Sequence, residues 1–340
     1  MPNLTLLGPY PPPFGGVALH LVRLHEALHT RGFTVVGAST SGIPQKLDGV
    51  RRIGFRDLIS RQPVHLHTDE GNARLTVLLG WMWRVTRRKY ALTVHSFRVR
   101  PDLQHLNNHL ARVYSNACMI VAISNEVHQA LVDQLHLDPE KIKVIPSALP
   151  ISKWEKMLPP PQGLPEQWLD APFRILANAG RVVRFQNNDL YGIDTLLEAF
   201  RTYQNKDASL LIVLGQIVDT GLYNTLVTMA APDSRVHLLT QFDSPLATIT
   251  HHAHVVVRPT RTEGGESLTL TEAQELGVHT IGSDAVPRPP GTMLFETGNA
   301  ESLAQALNLI SQRSTLPHPI TVNTSAIETL IEAYSSSGLL

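Results

Sequence analysis

A loop rich in acidic and hydroxyl side chains follows an apolar run at residues 254–257. The run predicts a buried strand, the pair Gly264-Gly265 predicts a loop, and apolar residues at helical spacing predict a helix over 268–276. Ser267 is placed to cap that helix, and the free N–H groups of a first helical turn attract anions. The junction therefore predicts a phosphate-binding site at the helix start.

Three glutamates accompany this junction. Glu272 lies about one and a half turns into the predicted helix, where a carboxylate can reach a ribose hydroxyl beyond bound phosphates. Glu263 and Glu266 lie in the loop, closer to whatever the diphosphate carries. An ordinary strand-loop-helix connection with exposed acids is the alternative interpretation.

A second strand-loop-helix unit begins the chain. Residues 4–7 predict a short strand, three prolines stiffen the following loop, and residues 17–29 have apolar side chains at helical spacing. Gly15 and Gly16 would let a ligand approach the backbone closely at the helix start. A tight turn without a ligand is the alternative, and a bare glycine pair does not support a dinucleotide site.

His95 ends the predicted strand at residues 90–95. Ligands of parallel sheets bind beyond the carboxyl ends of the strands, so this position is a candidate site. Because the pKa of imidazole is near neutrality, the side chain can contact a sugar hydroxyl or take its proton. A purely structural hydrogen-bonding role is the alternative.

The order of elements predicts two parallel α/β domains, since short apolar strands alternate with helical segments in both halves of the chain. The proline-rich stretch 159–165 is the clearest break between them. We place an N-terminal domain at 1–160, a C-terminal domain at 161–322 and a terminal helix at 323–340.

The amino-acid composition limits the classes of molecule that this protein is expected to bind. The 29 Lys and Arg residues balance 29 Asp and Glu residues, which argues against nucleic acid. The single Cys118 excludes an intramolecular disulfide and a cysteine-based metal cluster, and it fits a reducing cytoplasm. No stretch reaches the length of a membrane span. The chain has no Asp-x-Asp pair, and we expect neither a zinc-type histidine site nor a required metal.

The segment at residues 81–90 mixes indoles with bases. Trp81, Trp83, Arg87 and Arg88 could contact an anionic membrane surface, where a lipid-linked acceptor would be found. A half-buried helix that ends in solvated bases is the alternative.

The order of these motifs resembles that of the retaining, GT-B-fold glycosyltransferases of the GT4 type. The resemblance runs from Gly15-Gly16 through His95 and Gly-Arg-Val-Val-Arg at 180–184 to the loop before Glu272. It implies two Rossmann-like parallel-sheet domains facing a cleft. It further implies metal-independent and cofactor-free transfer from a nucleotide diphosphate sugar, with a UDP-sugar favoured, to a saccharide or lipid-linked acceptor. The expected location is cytoplasmic, with peripheral contact at the inner membrane face as an addition.

The resemblance also implies roles for single residues. Arg181 matches an arginine that neutralises the donor diphosphate, and Glu266 and His95 would orient the donor sugar. His67 and His20 are second-rank candidates beside His95. The remaining matches are binding positions: Gly265, Ser267 and Leu268 at the phosphates, Glu272 at the ribose, Phe242 at the base, and Gly15 and Gly16 on the acceptor side. The terminal helix of such proteins often crosses back to the first domain.

The sequence departs from the family pattern at two places. Glu263 and Glu272 are nine positions apart, one more than is usual, so either the loop holds one extra residue or Gly264 occupies the position expected to be acidic and Glu266 supplies the charge. We therefore favour Glu266 as the acid that contacts the sugar. Tyr191 stands where the family has a second cation, a lysine, and Arg184 is the candidate to replace it.

Two other classes share the expected architecture. Nucleotide-sugar epimerases that isomerise UDP-N-acetylglucosamine need acids and a histidine for elimination and re-addition. A non-catalytic relic that binds a nucleotide without turnover would tolerate the altered glutamate spacing and the missing lysine.

Overall fold

The computed structural model describes residues 3–44, 46–69, 72–97, 106–159, 161–240, 242–263, 267–313 and 315–340. It consists of two compact units. Unit 1 contains Met1–Trp154 and Asn323–Leu340, and unit 2 contains Glu155–Val322. The chain thus passes from one unit to the other shortly before the proline-rich stretch where we placed the boundary.

Unit 1 alternates strands and helices as follows: β1 Asn3–Gly8, α1 Gly16–Thr30, β2 Thr34–Ser39, β3 Val50–Arg52, α2 Phe55–Ile59, β4 Val64–Thr68, α3 Ala73–Thr86, β5 Tyr90–Val94, α4 Asn107–Ser115, β6 Met119–Ala122, α5 Asn125–Leu135, β7 Ile142–Val144 and α6 Lys153–Lys156, which crosses into unit 2. The strands form a parallel sheet in the order β3-β2-β1-β4-β5-β6-β7. The central strands β4 and β5 are buried along their whole length, because helices cover both faces of a parallel sheet.

Unit 2 continues with α7 Glu166–Leu169, β8 Phe173–Val182, β9 Arg184–Phe185, β10 Asn188–Asp189, α8 Ile193–Thr202, β11 Ala208–Ile217, α9 Thr220–Ala230, β12 Val236–Leu239, α10 Ala247–Thr250, β13 Val255–Arg258, α11 Leu268–Glu275, β14 His279–Ser283, β15 Met293–Phe295 and α12 Ala300–Ser311; α13, Ser325–Ser336, belongs to unit 1. Its parallel sheet has the order β12-β11-β8-β13-β14-β15. The predicted pair of parallel α/β units is confirmed.

The long strands β8 and β11 approach each other closely near their carboxyl ends. A Cβ atom on Gly215 would lie only 2.2 Å from the carbonyl oxygen of Gly180, so this position excludes any side chain. The pairing continues beyond it, with Arg181 opposite Gln216. Arg181 is thereby held on a regular strand and is exposed.

Helix α13 packs within unit 1 on the side of the central strands. Tyr334 is fully buried, and its hydroxyl lies 2.6 Å from Nδ1 of His65 on β4. The other nitrogen of His65 lies 2.7 Å from Oγ1 of Thr93 on β5. The terminal helix therefore completes the hydrogen bonding of a buried histidine in the first half of the chain.

Candidate functional site

The anion site predicted in unit 2 lies at the start of α11. Ser267 takes the N-cap position in an extended conformation but makes no side-chain capping bond. Its side chain is buried, and in the part of the chain that the structure describes its Oγ has no hydrogen-bond partner. A buried hydroxyl without a partner, next to the free N–H groups of a first helical turn, suits an anionic oxygen.

The first turn of α11 is anchored to the central strand of unit 2. Oγ1 of Thr269 donates to Oδ1 of Asn178 on β8 at 3.2 Å. Arg181 follows three residues later on the same strand, is exposed, and forms no ion pair among the residues described here. The helix start and an uncompensated guanidinium therefore share the carboxyl edge of this sheet.

Arg184 differs from Arg181 because it has an acidic partner. Its Nε lies 3.0 Å from Oδ2 of Asp219, and both side chains are partly exposed. The Asp219 carboxylate offsets part of the charge that Arg184 would bring to a diphosphate. Arg184 is thus less available than Arg181 as a second cation.

Glu263 forms ion pairs with two buried arginines. Its Oε1 lies 2.6 Å from Nη2 of Arg258, and its Oε2 lies 2.5 Å from Nη1 of Arg288. The two guanidiniums are almost completely buried, whereas the carboxylate is 16% exposed. Both carboxylate oxygens are therefore occupied, and the group of three carries a net positive charge.

Sequence reasoning missed Arg258 as a neighbour of the position where the family has a lysine. The Arg258 guanidinium carbon lies 4.9 Å from the centre of the Tyr191 ring, a cation–π arrangement. Arg258 also donates to the backbone oxygen of Asn178 at 3.1 Å, next to the anchor of α11. The signal was its position directly after the strand predicted at 254–257, where side chains reach the ligand edge.

The other predicted donor-side residues are distributed as follows. Glu272 is buried on α11, and Leu268 is half-buried at its first position. Phe242 is half-buried and packs against the core of unit 2, which fits the role of a core aromatic. Gly265 and Glu266 lie outside the described residues.

In unit 1, Gly15 and Gly16 form the start of α1. Both are exposed, and a Cβ atom at either would meet no atom within 4 Å. Gly15 is the N-cap, in an extended conformation. The backbone of this helix start is therefore accessible to a ligand, as an acceptor-side loop requires.

His95 and the two second-rank histidines come together in unit 1. His20 lies one turn into α1, His67 lies on β4, and His95 directly follows β5. Nδ1 of His67 is 3.1 Å from Nε2 of His95, and Nδ1 of His20 is 2.9 Å from the backbone oxygen of Ser147. The rings of all three lie within contact distance, and the ring of His65 lies beside that of His67.

Burial keeps these imidazoles neutral. It lowers the pKa of His20 to about 4 and that of His65 to about 3, and it lowers the pKa values of His67 and His95 well below the ordinary value. The mutual repulsion of charged rings adds to the effect. A neutral imidazole at His95 can accept a hydrogen bond from a sugar hydroxyl.

The expectation that the chain has no zinc-type histidine pattern was wrong at two places in the sequence. Residues 105–109 read His-Leu-Asn-Asn-His, and residues 25–29 read His-Glu-Ala-Leu-His on α1, the spacing of a metalloprotease helix. The second pattern lies wholly within the described residues. His25 is buried with its Nδ1 3.4 Å from the Tyr10 hydroxyl, and the Glu26 carboxylate accepts the backbone N–H of Lys153. Among the described residues, no third ligand group joins this pair, and the cluster of metal-ligating type is instead His20, His67 and His95.

The predicted membrane-contact segment needs two corrections. Trp83 is fully buried in the core of unit 1, and Arg88 is buried with its Nε donating to the Gln62 backbone oxygen at 2.6 Å. Neither can contact a surface. Trp81, in contrast, is 64% exposed, and Arg87 is exposed at the end of α3. No described helix is both long and apolar enough to cross a bilayer.

The two parallel-sheet units define the chain as a protein of GT-B fold, the fold of several solved glycosyltransferases. Residues 175–312, which lie in unit 2, match the model of the family described as glycosyl transferases group 1. The matched region includes Arg181, Arg258 and the start of α11. The fold and the family match together support a glycosyltransferase. No curated protein sequence gives a match.

Three solved structures illustrate the likeness. HepE of Anabaena, in complex with UDP and glucose, is 14% identical, covers 99% of this chain and 100% of its own, and has a TM-score of 0.66. The catalytic domain of starch synthase IV from Arabidopsis thaliana, bound to ADP and acarbose, is 13% identical, covers 99% of both chains and has a TM-score of 0.65. A Listeria monocytogenes protein assigned as a UDP-N-acetylglucosamine 2-epimerase is 15% identical, covers 98% of this chain and 96% of its own, and has a TM-score of 0.58.

Acid should destabilise unit 1 before the carboxylates titrate. The pKa of His25 is lowered to about 4, as is that of His20, so between that value and the ordinary pKa of about 6.5 the unfolded chain binds protons that the folded chain does not. Stability is then highest above pH 6.5 and falls as the pH is lowered toward 4. Each such histidine contributes a slope of about 1.4 kcal/mol per pH unit.

The measurement is the free energy of unfolding by urea at pH 6.5 and 5.0, in the presence of EDTA. His25→Gln should make the slope between the two pH values shallower by about the amount of one histidine, and His136→Gln, at an exposed position, controls for the substitution itself. An unchanged slope in His25→Gln would contradict the buried neutral state of that ring.

Replacing Glu263 by Gln should destabilise unit 2. The substitution leaves Arg258 and Arg288 buried without their shared counter-charge, which typically costs about 3 kcal/mol or more. Urea unfolding measures the loss, and Glu198→Gln, at an exposed position of α8, is the matched control. If both variants were equally stable, the arginines would not depend on Glu263.

Proposed function

We propose that this protein transfers a sugar from a nucleotide diphosphate sugar, with a UDP-sugar favoured, to a hydroxyl of a saccharide or lipid-linked acceptor, with retention at the anomeric carbon. The observation that carries the proposal is the helix start at Ser267, whose buried hydroxyl has no hydrogen-bond partner among the described residues, on the same sheet edge as the exposed Arg181. This site lies within the residues that match the glycosyl transferases group 1 family.

The departing diphosphate is the group that these residues would stabilise. The N–H groups at the start of α11 and the guanidinium of Arg181 meet the negative charge that develops on the leaving group. Preorganised donors of this kind contribute a few kcal/mol each to transition-state stabilisation. Arg258, Arg288 and Glu263 together carry a net positive charge, which adds to the positive electrostatic potential at this edge. This charge would take the place of the lysine that the family has.

The donor sugar would be oriented by His95 and Glu266, and the ribose held by Glu272. His95 is suited to the role because its ring is neutral and can accept a hydrogen bond from a sugar hydroxyl. Glu266 is the loop acid that remains, since both oxygens of Glu263 are bound by arginines. We assign no protein nucleophile and no cofactor, and we expect the transfer itself to need no metal ion.

The acceptor side would include the exposed helix start at Gly15 and Gly16. A groove of about 520 Å³ in unit 1, lined in part by Trp81, Arg84 and Arg112, combines apolar and basic surface. Such a surface suits an anionic lipid-linked acceptor at the inner membrane face. The proposed setting is therefore glycan or lipid-linked saccharide synthesis.

A nucleotide-sugar epimerase is the second candidate, because the same fold is shared by the Listeria monocytogenes protein assigned to that activity. The two functions differ in what becomes of the nucleotide. A transferase releases free nucleoside diphosphate only when an acceptor is present, whereas an epimerase converts the donor without any acceptor. Binding of a nucleotide with no turnover in either assay would indicate a non-catalytic relic.

Arg181→Ala should remove most of the transfer activity while the fold persists. The guanidinium acts on the charge of the leaving group and is not part of the core, so a loss of about 100-fold or more in kcat is expected. Nucleoside diphosphate release measures the effect, and Arg201→Ala, an exposed arginine on α8, is the control. Turnover near that of the control would exclude the role.

Glu266→Gln should lower kcat/KM by about 10 to 150-fold. This range corresponds to the loss of one charged hydrogen bond, which contributes roughly 1.5–3 kcal/mol. The comparison variant is Glu263→Gln, assayed at a temperature where it is folded. Its main effect is expected on stability, because its carboxylate holds Arg258 and Arg288. A larger kinetic loss in folded Glu263→Gln would show that Glu263 holds the family's acidic position.

A further inference from the structure

His20, His67 and His95 form a cluster made only of imidazoles in unit 1. One ring nitrogen of each lies within 4.8 Å of those of the other two. The closest pair, Nδ1 of His67 and Nε2 of His95, is 3.1 Å apart. Two nitrogens bound to one tetrahedral zinc ion lie about 3.3 Å apart, since each Zn–N bond is about 2.0–2.1 Å long. This pair is therefore already close to ligand spacing.

The third imidazole is oriented as a ligand would be. A hydrogen bond of 2.9 Å joins Nδ1 of His20 to the backbone oxygen of Ser147, which places the proton on Nδ1. Nε2 then carries a lone pair. Metal-binding histidines usually donate their other N–H to a carbonyl or carboxylate in this way, which fixes the tautomer and the ring.

His67 provides an independent indication of a ligand. Its side chain is buried, and Nε2 has no hydrogen-bond partner anywhere in the described ranges of the chain. Buried polar atoms are nearly always paired, and an exception calls for an explanation such as a missing ion. Nδ1 of His67 pairs with another histidine of the cluster, and Nε2 has no hydrogen-bond partner among the described residues, so neither nitrogen is hydrogen-bonded to a group outside the cluster.

We propose that His20, His67 and His95 bind a divalent transition-metal ion, with zinc as the best match. Imidazole nitrogen suits zinc, nickel and copper, whereas magnesium and calcium prefer oxygen ligands. Three protein ligands leave a fourth position open for water or a substrate oxygen. The ligands come from α1, from β4 and from the residue that follows β5, all within unit 1.

A metal-binding measurement must distinguish this cluster from another pair of neighbouring histidines. His251 and His252 in unit 2 have ring centres 3.9 Å apart and offer two ligands for weak surface binding. A double variant, His251→Ala with His252→Ala, removes that pair and leaves the cluster of unit 1 intact. It is therefore the matched control for every metal measurement.

The test is metal binding to the full chain after removal of all metal with EDTA. Zinc affinity is measured by competition with a chromogenic chelator, and Co²⁺ serves as a spectroscopic probe of coordination geometry. We expect one zinc ion per chain and the intense visible bands of tetrahedral Co²⁺. His67→Ala should weaken zinc binding by at least about tenfold. Even the removal of a group that only hydrogen-bonds to a metal ligand causes a loss of about this size.

Because His67 is buried, a second variant at a partly exposed position guards against misfolding. His20→Gln should weaken zinc binding to a similar extent with an unchanged circular dichroism spectrum. The inference is overturned if the wild-type chain binds no zinc. It is equally overturned if only the His251 and His252 double variant loses binding, or if Co²⁺ shows octahedral coordination.

One consequence rests on the proposed function. A metal ion bound to His95 would compete with the donor sugar for this imidazole, so zinc should inhibit transfer and EDTA should restore it. Transfer that is insensitive to zinc in a chain carrying one ion at this cluster would overturn the inhibition. Absence of transfer both with and without metal would count against the proposed function, while the binding measurement would still decide the metal site.

Discussion

The parallel arrangement of the strands is the constraint on which the rest of the structure depends. A parallel connection must return through a helix, so in the parallel sheet of each unit all strands end at the same edge and the helices that follow them begin there. Several of the groups that we assign to chemistry follow this rule. Arg258 ends β13, Arg181 is the last residue but one of β8, Ser267 directly precedes α11, and His95 directly follows β5. Backbone N–H groups and strand-end side chains are thus concentrated where ligands of such sheets bind.

The sequence predicts those features of this edge that depend on one segment alone. The helix start at residue 268 was predicted where the structure has it, because apolar residues at helical spacing and a serine at the N-cap position are local signals. Charged or very short elements were not predicted. Strand β3 reads Val-Arg-Arg and β15 has three residues, so neither shows a usable alternation. Helix α12 has apolar residues at helical spacing and was nevertheless overlooked.

Features that require distant segments to meet could not be predicted. The joining of Arg258, Glu263 and Arg288 depends on how the chain returns after β14, and nothing in the sequence sets that path. The meeting of His20 with His67 and His95 depends on how the fold brings α1, β4 and the end of β5 together. Burial of Trp83 and Arg88 is a further case, since an amphipathic stretch does not reveal which of its indoles faces inward. The resemblance supplied roles for single residues but not these contacts.

The candidate site of unit 2 contains ionised side chains, whereas that of unit 1 contains neutral histidines. This difference fits the chemistry that we assign to each unit. Unit 2 keeps ionised groups at its edge, where two guanidiniums share one carboxylate and leave a net positive charge. Such a surplus is tolerable only if an anion or water can approach, because an unpaired buried charge costs several kcal/mol. Unit 1 keeps its histidines neutral by burial, which leaves lone pairs without charge. Lone pairs of this kind accept a hydrogen bond from a hydroxyl group or bind a cation, and they do not attract phosphate. The anionic part of a donor is therefore expected to bind unit 2, and uncharged hydroxyl groups are expected at the histidines of unit 1.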